Sequence, residues 1–220
     1  MIFNMKLATS SQIKEIDKLS TNKYGIPSLI RMEVAGLKSF DIIKKEYNPK
    51  KSLIVVGTGN NGGDGLVIAR YLLLNNYECS IYIVKTSKIR SKDFITNLSI
   101  IKKLGVKITN DWKNVKIKEY DLIIDGIFGV GLNRPLNSKI NILIKTLNKT
   151  KIPICSIDIP SGLDPDSGKM LSTSIIADST ITFDFAKTGL LTDPGAKFSK
   201  KIFIVKLPTP ERLSKKLNNF

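Results

Sequence analysis

Apolar residues come in two spacings along this chain. At the start they recur at helical intervals. Ser10 and Ser11 can cap a helix running to about residue 21, with Ile13, Ile16 and Leu19 on one face. A break at Gly25-Ile26-Pro27 precedes a second helix over 28–47, offering Leu29, Met32, Val34, Ala35 and Phe40 for packing, until Asn48-Pro49 ends it. From residue 52 onward, short continuous apolar runs alternate with helical patterns. The runs 52–56, 79–84, 106–108, 122–125, 154–157, 179–183 and 202–205 read as strands, and 65–75, 92–104, 140–148 and 174–177 as helices. Runs without polar alternation suit a parallel sheet covered on both faces. The chain therefore predicts an α/β fold: a three-layer αβα sandwich around a mostly parallel sheet, in one domain. The N-terminal helices fill 1–50, the α/β core 51–210 and a polar tail 211–220.

In such sheets ligands sit beyond the carboxyl ends of the strands. Three strand ends here are rich in glycine and polar groups. The first reads Gly57-Thr58-Gly59-Asn60-Asn61-Gly62-Gly63-Asp64-Gly65, where a buried strand turns into a helix start able to cradle a phosphate. The second spans Asp125, Gly126, Ile127, Phe128, Gly129, Val130, Gly131, Leu132, Asn133, Arg134 and Pro135. The third reads Asp158-Ile159-Pro160-Ser161-Gly162-Leu163-Asp164. The first loop matches the dinucleotide fingerprint in its glycines, but the following strand ends in Ile83-Val84-Lys85-Thr86 without the acid that would hold a ribose. An ordinary NAD dehydrogenase is thereby disfavoured, and the missing Gly-Lys-Ser/Thr excludes a Walker loop.

Asp125, Asn61 and Ser161 would make an all-oxygen site for a hard cation, while Asp125 as a turn cap fits the spacing equally well. Gly129, Gly131 and Asn133 can present N–H groups to a second phosphate, with Arg134 either a charge partner or a surface residue. Asp158 is placed for acid–base work, with turn capping as the plainer reading. Asp164 and Asp166 read as turn residues, and Lys187 as a surface lysine within reach of the crevice.

Composition narrows the chemistry. The 220 residues contain no histidine and two cysteines, Cys79 and Cys155, both in strand runs. Zinc sites and Ser-His-Asp or Cys-His catalysis are excluded, and proton transfer falls to carboxylates, Lys, Tyr, Cys or water. The net charge of +16 invites a nucleic-acid reading, which is discounted because the excess is mostly lysine spread along the whole chain, with five arginines. No apolar stretch is long enough to span a bilayer, and Met1 to Leu7 lack a secretory signal pattern; the expectation is a cytoplasmic protein.

These three loops, in this order, resemble the YjeF N-terminal domain family, the NAD(P)H-hydrate epimerases. The resemblance also rests on Gly25-Ile26-Pro27, on Met32-Glu33 with Ala35-Gly36, on Thr182-Phe183, on Lys187 to Leu190 and on Pro194-Gly195; Val34 stands where the family usually has Asn. It implies a Rossmann-like fold, a homodimer and a role in metabolite repair: interconversion of the R and S forms of hydrated NADH and NADPH. A separate NAD(P)H-hydrate dehydratase would consume the S form. By the same resemblance, Asn60, Asn61, Gly62, Gly63 and Asp64, with Gly129, Val130, Gly131, Leu132, Asn133, Arg134 and Pro135, bind the hydrated dinucleotide. Asp158 contacts substrate and moves protons. Asn61, Asp125 and Ser161 hold one potassium ion per subunit. The competing expectation is a non-catalytic scaffold of the same fold, binding RNA or protein.

Overall fold

The computed structural model describes residues 6–216, so the first residues, read above for a leader, and the end of the polar tail lie outside the described residues. In chain order the strands are β1 (Leu7–Ala8), β2 (Lys51–Val56), β3 (Glu78–Ile83), β4 (Lys107–Thr109), β5 (Leu122–Gly126), β6 (Ile154–Ile157), β7 (Ala177–Phe183), β8 (Ala186–Lys187) and β9 (Ser199–Val205). The helices are α1 (Ser10–Asn22), α2 (Ser28–Glu46), α3 (Asn60–Leu74), α4 (Lys92–Lys103), α5 (Ser138–Asn148), α6 (Thr188–Leu191) and α7 (Glu211–Lys216). Seven strands form one sheet in the order β4-β3-β2-β5-β6-β7-β9, every pair parallel. β1 and β8 pair separately.

The strand periodicity explains the two cores. Along β2, Ile54 and Val56 point to the face covered by α2, α3 and α4, where they meet Phe40, Leu66, Leu72 and Phe94. Leu53 and Val55 point to the opposite face, where α5 supplies Ile140, Leu143, Ile144 and Leu147. All four β2 residues are buried, which is why the run shows no polar alternation. Among the described residues no helix is long and apolar enough to cross a membrane.

The order of strands has one reversal. From β2 the chain moves outward to β3 and β4, then returns to place β5 on the other side of β2. Loops leaving β2 and β5 therefore diverge and leave a crevice between them.

Several local readings change. The 174–177 segment is not helical: residues 174–176 form a connection in which Ile175 is buried against the α5 face, and β7 begins at Ala177, so tertiary burial overrides helical spacing. Helix α1 is capped by Thr9, in a capping box with Gln12, rather than by the serines. Leu29 is exposed, and the buried stripe of α2 runs instead through Arg31, Met32, Ala35, Gly36, Ser39, Phe40 and Ile43. Helix α3 starts at Asn60, five residues before the expected 65, so Asn60 to Asp64 form its first turn. Gly62 makes that early start possible, since a Cβ there would collide with the Gly57 carbonyl.

Candidate active site

A cavity of about 560 Å3 opens at the β2/β5 reversal. Its lining includes Asn60, Asn61 and Asp64 from α3, Gly129, Val130, Gly131, Leu132, Asn133 and Arg134 from the loop after β5, and Asp158 after β6. Thus residues far apart in sequence, predicted from three separate loops, meet in one place. Gly62, Gly63 and Pro135 do not line it. Gly63 lies instead against Met32, where a Cβ would overlap the thioether.

Asp158 has an unusual backbone. Its φ is 69°, and the Ile159 N–H closes a tight turn on the Ile157 carbonyl at 2.9 Å. A non-glycine residue held there costs roughly 1–3 kcal/mol and persists only where its surroundings enforce it. The enforcement is visible: the Asp158 N–H donates to the Ile181 carbonyl of β7 at 2.7 Å. The turn carries the carboxylate off the strand axis toward the loop after β5, where the Val130 N–H donates to Oδ2 at 3.1 Å.

The other oxygen, Oδ1, lies 2.5 Å from Lys187 Nζ. Lys187 is not at the surface, as its sequence context suggested; it is 1% exposed. Its ammonium also donates to Thr182 Oγ1 at 2.9 Å and the Phe183 carbonyl at 3.3 Å, so all its donors are used. The pairing of Ala8 with Lys187 in the small β1–β8 sheet fixes the lysine backbone. The available signal was a lysine embedded among small and apolar residues just after a strand.

A second basic group went unnoticed in the sequence. Arg31 sits in the buried stripe of α2 and reaches Asp17 of α1 at 2.6 Å and Asp184 at 3.7 Å. Asp184 repeats the Asp158 device one strand over, with φ 57° and a tight turn closed by the Phe185 N–H on Phe183. It accepts from the Leu207 N–H and Thr209 Oγ1, which ties the segment after β9 to the cavity wall. The clue was an arginine in register with Ala35 and Ser39 on an otherwise buried helix face.

Asp125 ends β5 directly behind this wall and is fully buried. It accepts from Ser156 Oγ at 2.8 Å, from Ser161 Oγ at 2.6 Å, and from the Ser161 and Ile127 N–H groups at 2.9 and 3.3 Å. Burial still pushes its carboxyl above the usual range, outweighing these hydrogen bonds. No ion pair to Asp125 exists among the described residues. Asn61 is buried beside the cavity with neither its amide oxygen nor its amide nitrogen satisfied. A buried anion without a cation next to a buried amide without partners is the environment a hard cation would complete. Asp125, Ser161 and Asn61 are all oxygen donors, so the residues fit such an ion.

Asp64 faces the same cavity from α3. Its carboxyl takes no hydrogen bond or ion pair from any described residue. Burial pushes it well above the ordinary carboxylate range, and among neighbouring charges Asp158 adds most to that rise. The sites usually filled by a ribose-binding acid carry Thr86, whose Oγ1 accepts the Thr58 N–H at 3.0 Å.

Gly129 separates these groups. A Cβ on it would lie 2.7 Å from Asp158 Oδ2 and 3.3 Å from Asn61 Cγ. The variant Gly129→Ala should therefore displace the Asp158 carboxylate and cost on the order of 100-fold in turnover, with a much smaller effect on thermal melting. Steady-state kinetics beside a melting curve would check both parts.

Comparisons with known proteins agree on the ancestry of this arrangement. The sequence profile of the family described as YjeF-related protein N-terminus matches residues 28–189. An NAD(P)H-hydrate epimerase of Limosilactobacillus fermentum is 36% identical over 197 residues, covering 89% of this chain and 94% of that protein. A bifunctional NAD(P)H-hydrate repair enzyme of Moorella thermoacetica is 32% identical over 220 residues, covering 95% of this chain and 42% of its own length. The crystal structure of yeast ynu0 superposes with a TM-score of 0.81 at 25% identity, covering 97% of this chain and 93% of that one.

Proposed function

The chain belongs to the family of YjeF-related protein N-termini, and from that premise we propose that it is an NAD(P)H-hydrate epimerase, an isomerase that interconverts the R and S forms of hydrated NADH and NADPH. The observation that carries the reading is Asp158, held in a strained turn and ion-paired to Lys187 in a cavity at the sheet reversal.

The hydrated carbon of the substrate bears a hydroxyl next to the ring nitrogen, a carbinolamine. The hydroxyl can leave to an iminium and water return from the other face, or the ring can open and reclose. Either route needs proton transfers at that oxygen. In this reading the first turn of α3, residues 60–64, and the loop 129–135 hold the dinucleotide. The support is that Asn60, Asn61, Asp64 and Gly129 to Arg134 line one cavity with Asp158. Asp158 is the proton-transferring group.

Asn61, Asp125 and Ser161 would hold one potassium ion per subunit, supported by the unsatisfied Asn61 amide and by an Asp125 carboxyl with no ion pair among the described residues. When bound, the ion compensates a buried charge and steadies the three loops. This reading extends to a cytoplasmic homodimer working beside a separate dehydratase. Relatives named as bifunctional NAD(P)H-hydrate repair enzymes carry a second activity in the same chain, which supports a partner activity for this one. A non-catalytic scaffold is disfavoured by the intact Asp158 and Asn61.

The test is direct. A mixture of R and S hydrated NADH is given an S-specific dehydratase, and recovery of NADH absorbance is followed with and without the protein. Consumption of the R form well above its spontaneous rate is expected; decay at the spontaneous rate overturns the reading. Potassium chloride should also raise the melting temperature above that in tetramethylammonium chloride at equal ionic strength, because an ion that binds only the folded state stabilises it.

A further inference from the structure

We propose that two carboxyl groups divide the proton transfers, Asp64 giving a proton to the departing hydroxyl and Asp158 taking one from the water that returns to the opposite face. The proposal rests on the epimerase reading above and deepens it.

The argument starts from what Asp158 is able to do. It stands in an ion pair, with Lys187 on Oδ1 and the Val130 N–H on Oδ2. A carboxylate so paired begins the cycle as a base. Expelling a hydroxyl from a carbinolamine needs an acid, because hydroxide is a poor leaving group. The chain has no histidine, and Lys187 spends its donors on Asp158, Thr182 and Phe183. Arg31 is engaged by Asp17 and Asp184.

Asp64 meets the requirement by position. It lines the same cavity as Asp158, from the first turn of α3, and its carboxyl has no hydrogen bond or ion pair to any described residue. The charged groups around that cavity are Asp17, Lys14 and Arg31 from the N-terminal helices, Asp93 from α4, Arg134, Asp158, Asp184 and Lys187. Burial is the main cause that favours the neutral form of Asp64, and Asp158, Asp17 and Asp93 add to it against the opposing charge of Lys187. One cavity thus holds a carboxyl group without a described partner, Asp64, and a carboxylate ion-paired to Lys187, Asp158, an arrangement suited to a divided acid–base pair.

The steps balance. The Asp64 proton passes to the hydroxyl oxygen, the carbon–oxygen bond breaks, water leaves, and the ring-nitrogen lone pair forms the iminium. Water then adds from the other face, its proton passes to Asp158, the new carbon–oxygen bond forms, and the iminium electrons return to nitrogen. Asp64 is left as carboxylate and Asp158 protonated. That state is competent for the opposite epimer or resets by exchange with solvent.

The test follows kcat, KM and their pH dependence for interconversion of R and S hydrated NADH, resolved by chromatography, in wild type, Asp64→Asn and Asp64→Glu. Thermal melting verifies folding of each. Asp64→Asn is expected to lower kcat by about 100-fold or more while KM changes little, and the alkaline decline of the wild-type kcat profile should vanish in it. Asp64→Glu, which retains an acid, should recover at least about tenfold over the Asn variant. A kcat for Asp64→Asn within about threefold of wild type, a loss confined to KM, or a Glu variant no better than Asn overturns the assignment while leaving the epimerase reading standing. A folded wild type without epimerase activity overturns both.

Discussion

Asp158→Asn should abolish epimerisation, lowering kcat by on the order of 10³ to 10⁴, in a protein that still melts cooperatively. The amide keeps the shape of the carboxylate, and its single oxygen can still accept from either Lys187 or the Val130 N–H, while the Asp158 N–H keeps its bond to the Ile181 carbonyl, so the turn can still form. What it loses is proton affinity. A buried lysine also loses its counter-charge, so a lower melting temperature is expected beside the kinetic loss. The readout is the coupled recovery of NADH from the R epimer. Turnover within tenfold of wild type would mean that the proton transfers run through another group.

The second large effect is on stability. Lys187→Met should destabilise the fold by about 3–5 kcal/mol, because it strands the Asp158 carboxylate in a site from which water is largely excluded. The two side chains are 1% and 11% exposed, so solvent does little to screen the loss. Denaturant unfolding of wild type, both single variants and Asp158→Asn/Lys187→Met gives the coupling. The double variant should lose clearly less than the sum of the singles, since neither charge is then left alone. Simple additivity would mean that the pair is not an energetic unit. Lys187 is a positioning residue in this account, so its variant should also shift the pH dependence of the residual activity.

Much of the fold was legible along the chain. Leu53 to Val56 are each buried on one face or the other of a covered parallel sheet, and an unbroken apolar run is the direct imprint of that burial. The alternation of such runs with amphipathic segments leaves few arrangements other than a three-layer sandwich. The strand-end loops were equally visible, because glycine, asparagine and aspartate at a strand terminus serve conformations and ligands that core residues cannot. The likeness to an epimerase family came from those same loops. Local spacing failed at 174–177, where Ile175 is buried against the α5 face in a non-helical connection to β7, and at the start of α3, where Gly62 lets the helix begin against the Gly57 carbonyl.

The sequence by itself determined the sheet, its parallel character, the three loops and the presence of Asp158 at a strand end. The tertiary structure alone decided its partners. Lys187 lies 29 residues beyond Asp158, and only the pairing of β6 with β7 and of β1 with β8 brings its ammonium to the carboxylate. Likewise Arg31 and Asp184 meet only because α2 packs beside the turn after β7. Periodicity reports which face a residue occupies, because neighbours along one element share that face. Which charges confront each other across a cavity depends on the order of the strands, and that order is carried by the whole packed chain rather than by any stretch of it.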